Sequence, residues 1–271
     1  MAITRELAEG VEIFRRAGDG GRRTIVLLHG IGSNAQSFEQ MMQALPRSIE
    51  AIAWNAPGYG HSRPLTEAAP TPRDYAAMLA KVMDALGLSR VGLVGHSLGA
   101  LFAASFAANY PERVSALALL SPALGYRVSA HEPLPPAVQQ RIDEINALGP
   151  QAFARKRAAR LVGDPERRAN VVAAVEQAMA SVHPQGYAQA VRALGAGDMR
   201  ADLAGVSVPS LVAVGSKDAI TPPANARSAR DAVRGKADYH EIDGSGHALP
   251  QEEPVLIARL VASFAENNAC A

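Results

Sequence analysis

The chain has 271 residues, 48% of them hydrophobic and 20% charged, with a formal net charge of +1. This suffices for one large domain or a domain with a sizeable insertion. It excludes a chain disordered by composition and one with the positive field that holds a nucleic acid. The opening residues MAITRELAEG carry no apolar h-region, and no later run reaches about 18 consecutive apolar residues. Neither export nor a membrane span is therefore expected, and the chain reads as cytoplasmic. The single cysteine, Cys270, excludes an internal disulfide and a cysteine-clustered metal site, and reads as an exposed tail thiol.

In chain order, short apolar runs alternate with longer segments of helical period, the pattern of a mostly parallel sheet with helices on both faces. VEIF (11–14) predicts an antiparallel edge strand. TIVLLHG (24–30), IEAIAWN (49–55), VGLVG (91–95), ALALLS (116–121), SLVAVG (210–215) and YHEID (239–243) predict buried strands. Residues 74–87, 98–110, 224–233 and 253–268 carry apolar residues three and four apart and predict flanking helices. Between Ser121 and Ser210 no strand-like run occurs. PAVQQRIDEINALG, QAFARKRAARLVG, ERRANVVAAVEQAMASV and PQGYAQAVRALGAG read instead as helices separated by Gly and Pro. This divides the chain into a core of residues 1–121 and 210–271 and an inserted helical lid of residues 122–209, with the proline-rich HEPLPP (131–136) leading into the lid.

Gly95-His96-Ser97-Leu98-Gly99 matches GxSxG at the turn from a buried strand into a helix. Such a turn projects the Ser97 hydroxyl above the sheet, and the flanking glycines let strand and helix cross closely. A serine hydroxyl is a weak nucleophile and needs a histidine base oriented by a carboxylate. On this topology the acid and then the histidine follow the serine, at carboxyl ends of strands. Asp218 in VAVGSKDAITPP and His247 in EIDGSGHALPQEEP stand at such ends. Asp243 ends a strand and SPALG carries no acid, so Asp218 is the preferred acid. Among the seven histidines only His247 has the late, glycine-rich loop, whereas His240 lies within a strand. HGIGS after the first buried strand supplies a second backbone donor, so Ile31 N–H and Leu98 N–H are the candidate oxyanion donors.

HGIGSN, WNAPGYGHSRP, GHSLGA, GSKDAITPP and GHALPQEEP, in this order, resemble the α/β-hydrolase family across nearly the whole chain. Within the family the chain looks most like enol-lactonases of the 3-oxoadipate type and hydrolases of aromatic ring-cleavage products. The resemblance implies a serine hydrolase cleaving a small carboxylic ester or lactone through Ser97, His247 and Asp218, with no cofactor and no metal. Asn55 stands where many relatives carry Asp. Ala248 replaces the tryptophan that often follows the histidine in carbon–carbon hydrolases, and Ser97 excludes an aspartate nucleophile. A carbon–carbon hydrolase, a cofactor-free oxygenase or perhydrolase, and a ligand-binding receptor with a retained triad stay open.

In QAFARKRAARLV, helical spacing puts Arg157 between Phe153 and Leu161 on the apolar side, while Arg155, Lys156 and Arg160 point elsewhere. Arg157 is the candidate clamp for a substrate carboxylate. The expected partner is a small-molecule ester, lactone or related carbonyl compound, with no nucleic acid and no membrane; a homo-oligomer is left open.

Overall fold

The computed structural model describes residues 2–20, 23–129 and 132–268; Cys270 and His131 lie outside them. Eight strands form one sheet in the order β1-β2-β4-β3-β5-β6-β7-β8. They are β1 (Ile3–Ala8), β2 (Val11–Arg16), β3 (Arg23–Leu28), β4 (Ile49–Trp54), β5 (Val91–His96), β6 (Val114–Leu120), β7 (Ser210–Gly215) and β8 (Ala237–Ile242). The pairs β1–β2 and β2–β4 are antiparallel, and the rest are parallel. All six runs expected as buried strands are strands of this sheet, but only five are buried. The sixth, β8, is an edge, paired with β7 alone, and its residues are partly exposed.

VEIF belongs to β2, but β2 is not an edge. It is paired on both sides, and the edge beyond it is β1, whose ITRELA is exposed over four consecutive residues. With solvent on both faces β1 needs no alternation of apolar residues, so periodicity gives no sign of it. Its Thr4, Arg5 and Glu6 blunt a free edge that would otherwise invite another strand.

Successive residues of the central strands feed opposite layers. Ile25, Leu27, Val94 and Leu120 face a core built with α1 (Glu39–Ala44) and α10 (Pro254–Asn267). Val26, Leu28, Leu93 and Leu119 face the other, built with α2 (Pro72–Ala85), α3 (Leu98–Asn109) and α8 (Pro223–Ala232). Burial on both faces makes these strands continuous apolar runs.

Between β6 and β7 lie α4 (Pro136–Arg157), α5 (Ala169–Ala180), α6 (Pro184–Ala196) and α7 (Met199–Leu203). The first two expected helices of this region are the two arms of α4, kinked at Gly149, whose φ of 73° and ψ of 160° precede Pro150. Helix α4 packs against both α5 and α6, whereas α7 sits against α3 and α8. A short helix α9 (Leu249–Glu252) links the loop after β8 to α10.

Candidate active site

Ser97 occupies the single residue between β5 and α3, at φ 55° and ψ −114°. This strained conformation for a non-glycine residue is held by close backbone crossings. A methyl group on Gly95 would overlap the backbone of Gly99 and Ala100, and one on Gly99 would overlap the Leu28 carbonyl. A Cβ on Gly30 would come within 2.9 Å of Ser97 Cβ. Glycine is required at these places by contact rather than by φ.

The structure brings together the three residues singled out after β5, β7 and β8. Ser97 Oγ lies 3.0 Å from His247 Nε2, and His247 Nδ1 lies 3.0 Å from Asp218 Oδ2 and 3.2 Å from Oδ1. All three are buried. Asp218 Oδ1 also accepts from the Ile220 and Thr221 amides at 2.9 and 2.8 Å. Burial pushes the Asp218 pKa up, but His247 and these amides outweigh it and hold it at about 2. The carboxylate is thus ionised throughout the neutral range. The rejected acid, Asp243, accepts from Ser216 Oγ instead.

Two histidines outside this set fix its surroundings. The Ala56 amide donates to His29 Nε2 at 3.0 Å, which leaves the proton on Nδ1 to donate to the Gly30 carbonyl at 2.8 Å. Ser33 N–H also donates to that carbonyl. In a planar trans peptide the Ile31 N–H points opposite to the Gly30 C=O, so fixing one fixes the other. His96 Nε2 donates to the His247 carbonyl at 2.7 Å. Burial lowers the His29 pKa to about 4; burial and His247 together lower that of His96 to about 3. Both are therefore neutral donors at neutral pH.

Ile31 and Leu98 line the same cavity as Ser97 and His247, a space of about 310 Å³. Leu98 opens α3, where the first N–H groups have no intrahelical carbonyl and the helix dipole is positive. From the region between β6 and β7, Phe153, Val175, Met179, Tyr187 and Leu194 supply an apolar roof. Helical spacing marks such residues as buried but cannot distinguish a roof from a core.

The roof is tied to the histidine loop. The Ala248 amide donates to the Leu161 carbonyl at 2.9 Å. The buried Glu252 carboxylate accepts from the Gly163 and Gly246 amides, both at 2.9 Å, and Arg168 bonds the Glu252 carbonyl and the Glu253 side chain.

Arg157 lines the cavity, as its place beside Phe153 and Leu161 predicts, and its guanidinium lies 4.7 Å from the Phe153 ring centroid. It is already engaged: Nε donates to Glu144 at 2.9 Å, and Nη2 bonds the same oxygen. Lys156 is exposed and points away from the cavity, as expected, while its ammonium shares that carboxylate from the solvent side. Arg141 and Arg200, which sequence reasoning did not single out, also line the cavity.

Among the described residues no group of three His, Cys, Asp or Glu side chains is placed to hold a metal ion, and no helix is long and apolar enough to cross a membrane.

Comparison with known proteins places this geometry in a family. The family model described as alpha/beta hydrolase fold matches residues 23–254. The chain is 29% identical over 257 residues to the pimeloyl-[acyl-carrier protein] methyl ester esterase of Vibrio cholerae, covering 91% of this chain and 95% of that protein. It is also 29% identical over 255 residues to the biotin biosynthesis bifunctional protein BioHC of Cellvibrio japonicus, covering 92% of this chain but 49% of that longer protein. It spans only 30% of another relative, the dihydrolipoyllysine-residue acetyltransferase component of the acetoin cleaving system of Cupriavidus necator. Among solved structures, the enol-lactonase from Burkholderia xenovorans LB400 superposes with a TM-score of 0.85 at 25% identity, over 97% of this chain and all of that one. The chain belongs to the alpha/beta hydrolase fold family.

Proposed function

We propose that this protein is a serine hydrolase of small carboxylic esters or lactones, with residues 122–209 as the lid over its site. One observation carries the reading: the unbroken set of contacts from Ser97 Oγ through the His247 ring to the ionised Asp218. The esterase and enol-lactonase names of the similar proteins support ester chemistry.

In this reading His247 Nε2 takes the Ser97 proton as Oγ attacks the carbonyl carbon, and Asp218 holds the tautomer and stabilises the imidazolium. The amides of Ile31 and Leu98 bind the oxyanion of the tetrahedral intermediate. His29 acts at one remove, by holding the Gly30–Ile31 peptide. His247 then returns its proton to the departing alcohol or enol oxygen. A water deprotonated by the same ring attacks the acyl-serine and releases the acid.

The test is steady-state hydrolysis of 4-nitrophenyl acetate at neutral pH by the wild type and Ser97→Ala. The expected result is sustained wild-type turnover that falls by at least about 1000-fold in the variant. Turnover unchanged by the substitution overturns the assignment.

A further inference from the structure

The cavity over Ser97 is lined by three arginines, Arg141, Arg157 and Arg200, and by no Asp or Glu among the described residues. The three are not equivalent. Arg157 has its counter-ion in Glu144, which Lys156 shares. Arg200 is exposed, and water screens it. Arg141 is half-buried on the first arm of α4, and among the described residues no carboxylate lies within 4.0 Å of it. Its neighbour is neutral, the buried Tyr187 phenol.

A cation on an apolar wall without a counter-ion has lost part of its hydration and gained no ion pair. That position is maintained at least cost when a ligand supplies the missing anion. A guanidinium is also the side chain whose donors match a carboxylate in pairs. In an ester the acyl portion remains in the cavity through both half-reactions while the alcohol leaves after the first, so a grip that serves both steps holds the acyl side. In a lactone the freed oxygen stays tethered to that acyl chain.

We infer that the substrate's acyl portion ends in a carboxylate, and that Arg141, rather than Arg157, takes it, with Phe153, Val175 and Met179 flanking the intervening chain. The inference rests on the serine hydrolase reading. It makes Arg141 a specificity residue and Arg157–Glu144 a structural pair of the lid.

The test compares two esters of the same chain length, 4-nitrophenyl hydrogen adipate and 4-nitrophenyl hexanoate, with wild type, Arg141→Gln and Arg157→Gln. The wild type should favour the anionic ester in kcat/KM. Arg141→Gln should lose about 10- to 100-fold on the adipate ester, the usual size of a hydrogen bond to a charged group, and stay within about twofold on the hexanoate. Arg157→Gln should lower both esters alike. Equal losses on both esters in Arg141→Gln, a wild-type preference for hexanoate, or a charge-selective loss in Arg157→Gln instead would overturn the assignment. If neither ester is turned over, the hydrolase reading fails. The arginine is then judged by calorimetric titration with adipate: binding lost in Arg141→Gln upholds the anion site, and no binding to the wild type overturns it.

Discussion

Thr221 Oγ1 stands 3.1 Å from His247 Nδ1, nearly as close as the Asp218 carboxylate, and the same oxygen lies 3.0 Å from Asp218 Oδ2 and 2.9 Å from the Ser121 carbonyl. The hydroxyl has one proton for these neighbours. Donated to Ser121, it leaves the lone pairs turned toward the imidazole N–H. Thr221→Val keeps the shape and deletes this oxygen, so kcat for an ester should fall about tenfold with little change in KM, and Thr221→Ser should restore most of it. Initial-rate kinetics on 4-nitrophenyl acetate check the split.

The Asn55 side chain answers a buried acid. Its Nδ2 donates to Glu12 Oε2 at 2.6 Å while its Oδ1 accepts from the Ala35 amide at 2.8 Å. Asn55→Asp would retain the second bond and set two carboxylates against each other. The variant should lose about 1–3 kcal/mol at neutral pH. Glu12→Gln in the same chain should recover much of it. Urea unfolding of the single and double variants measures the coupling. This pairing gives the physical reason for asparagine at position 55.

Acid should weaken the fold well before Asp218 titrates. His29 and His96 have folded pKa values of about 4 and about 3, against about 6.5 in an unfolded chain. The unfolded state therefore binds more protons below pH 6.5, and stability is fully present above that pH and lost as pH falls toward 4 and 3. Asp202, raised to about 6 by burial and by Asp198, takes up its proton earlier when folded and offsets part of the loss. Asp218, held at about 2, adds its own loss only below about pH 4. The urea midpoint at pH 5 should lie below that at pH 7, and His96→Asn should narrow the difference. An identical midpoint at both pH values contradicts the burial of neutral histidines.

The central sheet was legible because strands buried on both faces must be apolar throughout. Ser97 and Asp218 follow two of them, whereas His247 follows the partly exposed edge strand β8. The strand β1 was not legible, because a solvated edge imposes no pattern. Nor were the tertiary partners: Thr221 stands three residues from Asp218 but acts through a side-chain oxygen whose direction only the folded loop decides. Arg157 shows the limit within one residue. Helical spacing gave its cavity-facing side, but its ion pair spans 13 residues across the kink at Gly149. Arg141 precedes that kink, so no single helical wheel relates the two arginines.

The bonds from Ala248 to Leu161 and from Gly163 and Gly246 to Glu252 sew the roof and the His247 loop into one seam. A lid that hinged open along this seam would drag the imidazole off Ser97 and dismantle the site with each opening. On the lid reading proposed above, a guest would enter instead by the rim where exposed Tyr126 and Arg200 border the cavity. A guest crossing that rim passes Arg200 where water screens its charge, so selection by charge is left to the pocket.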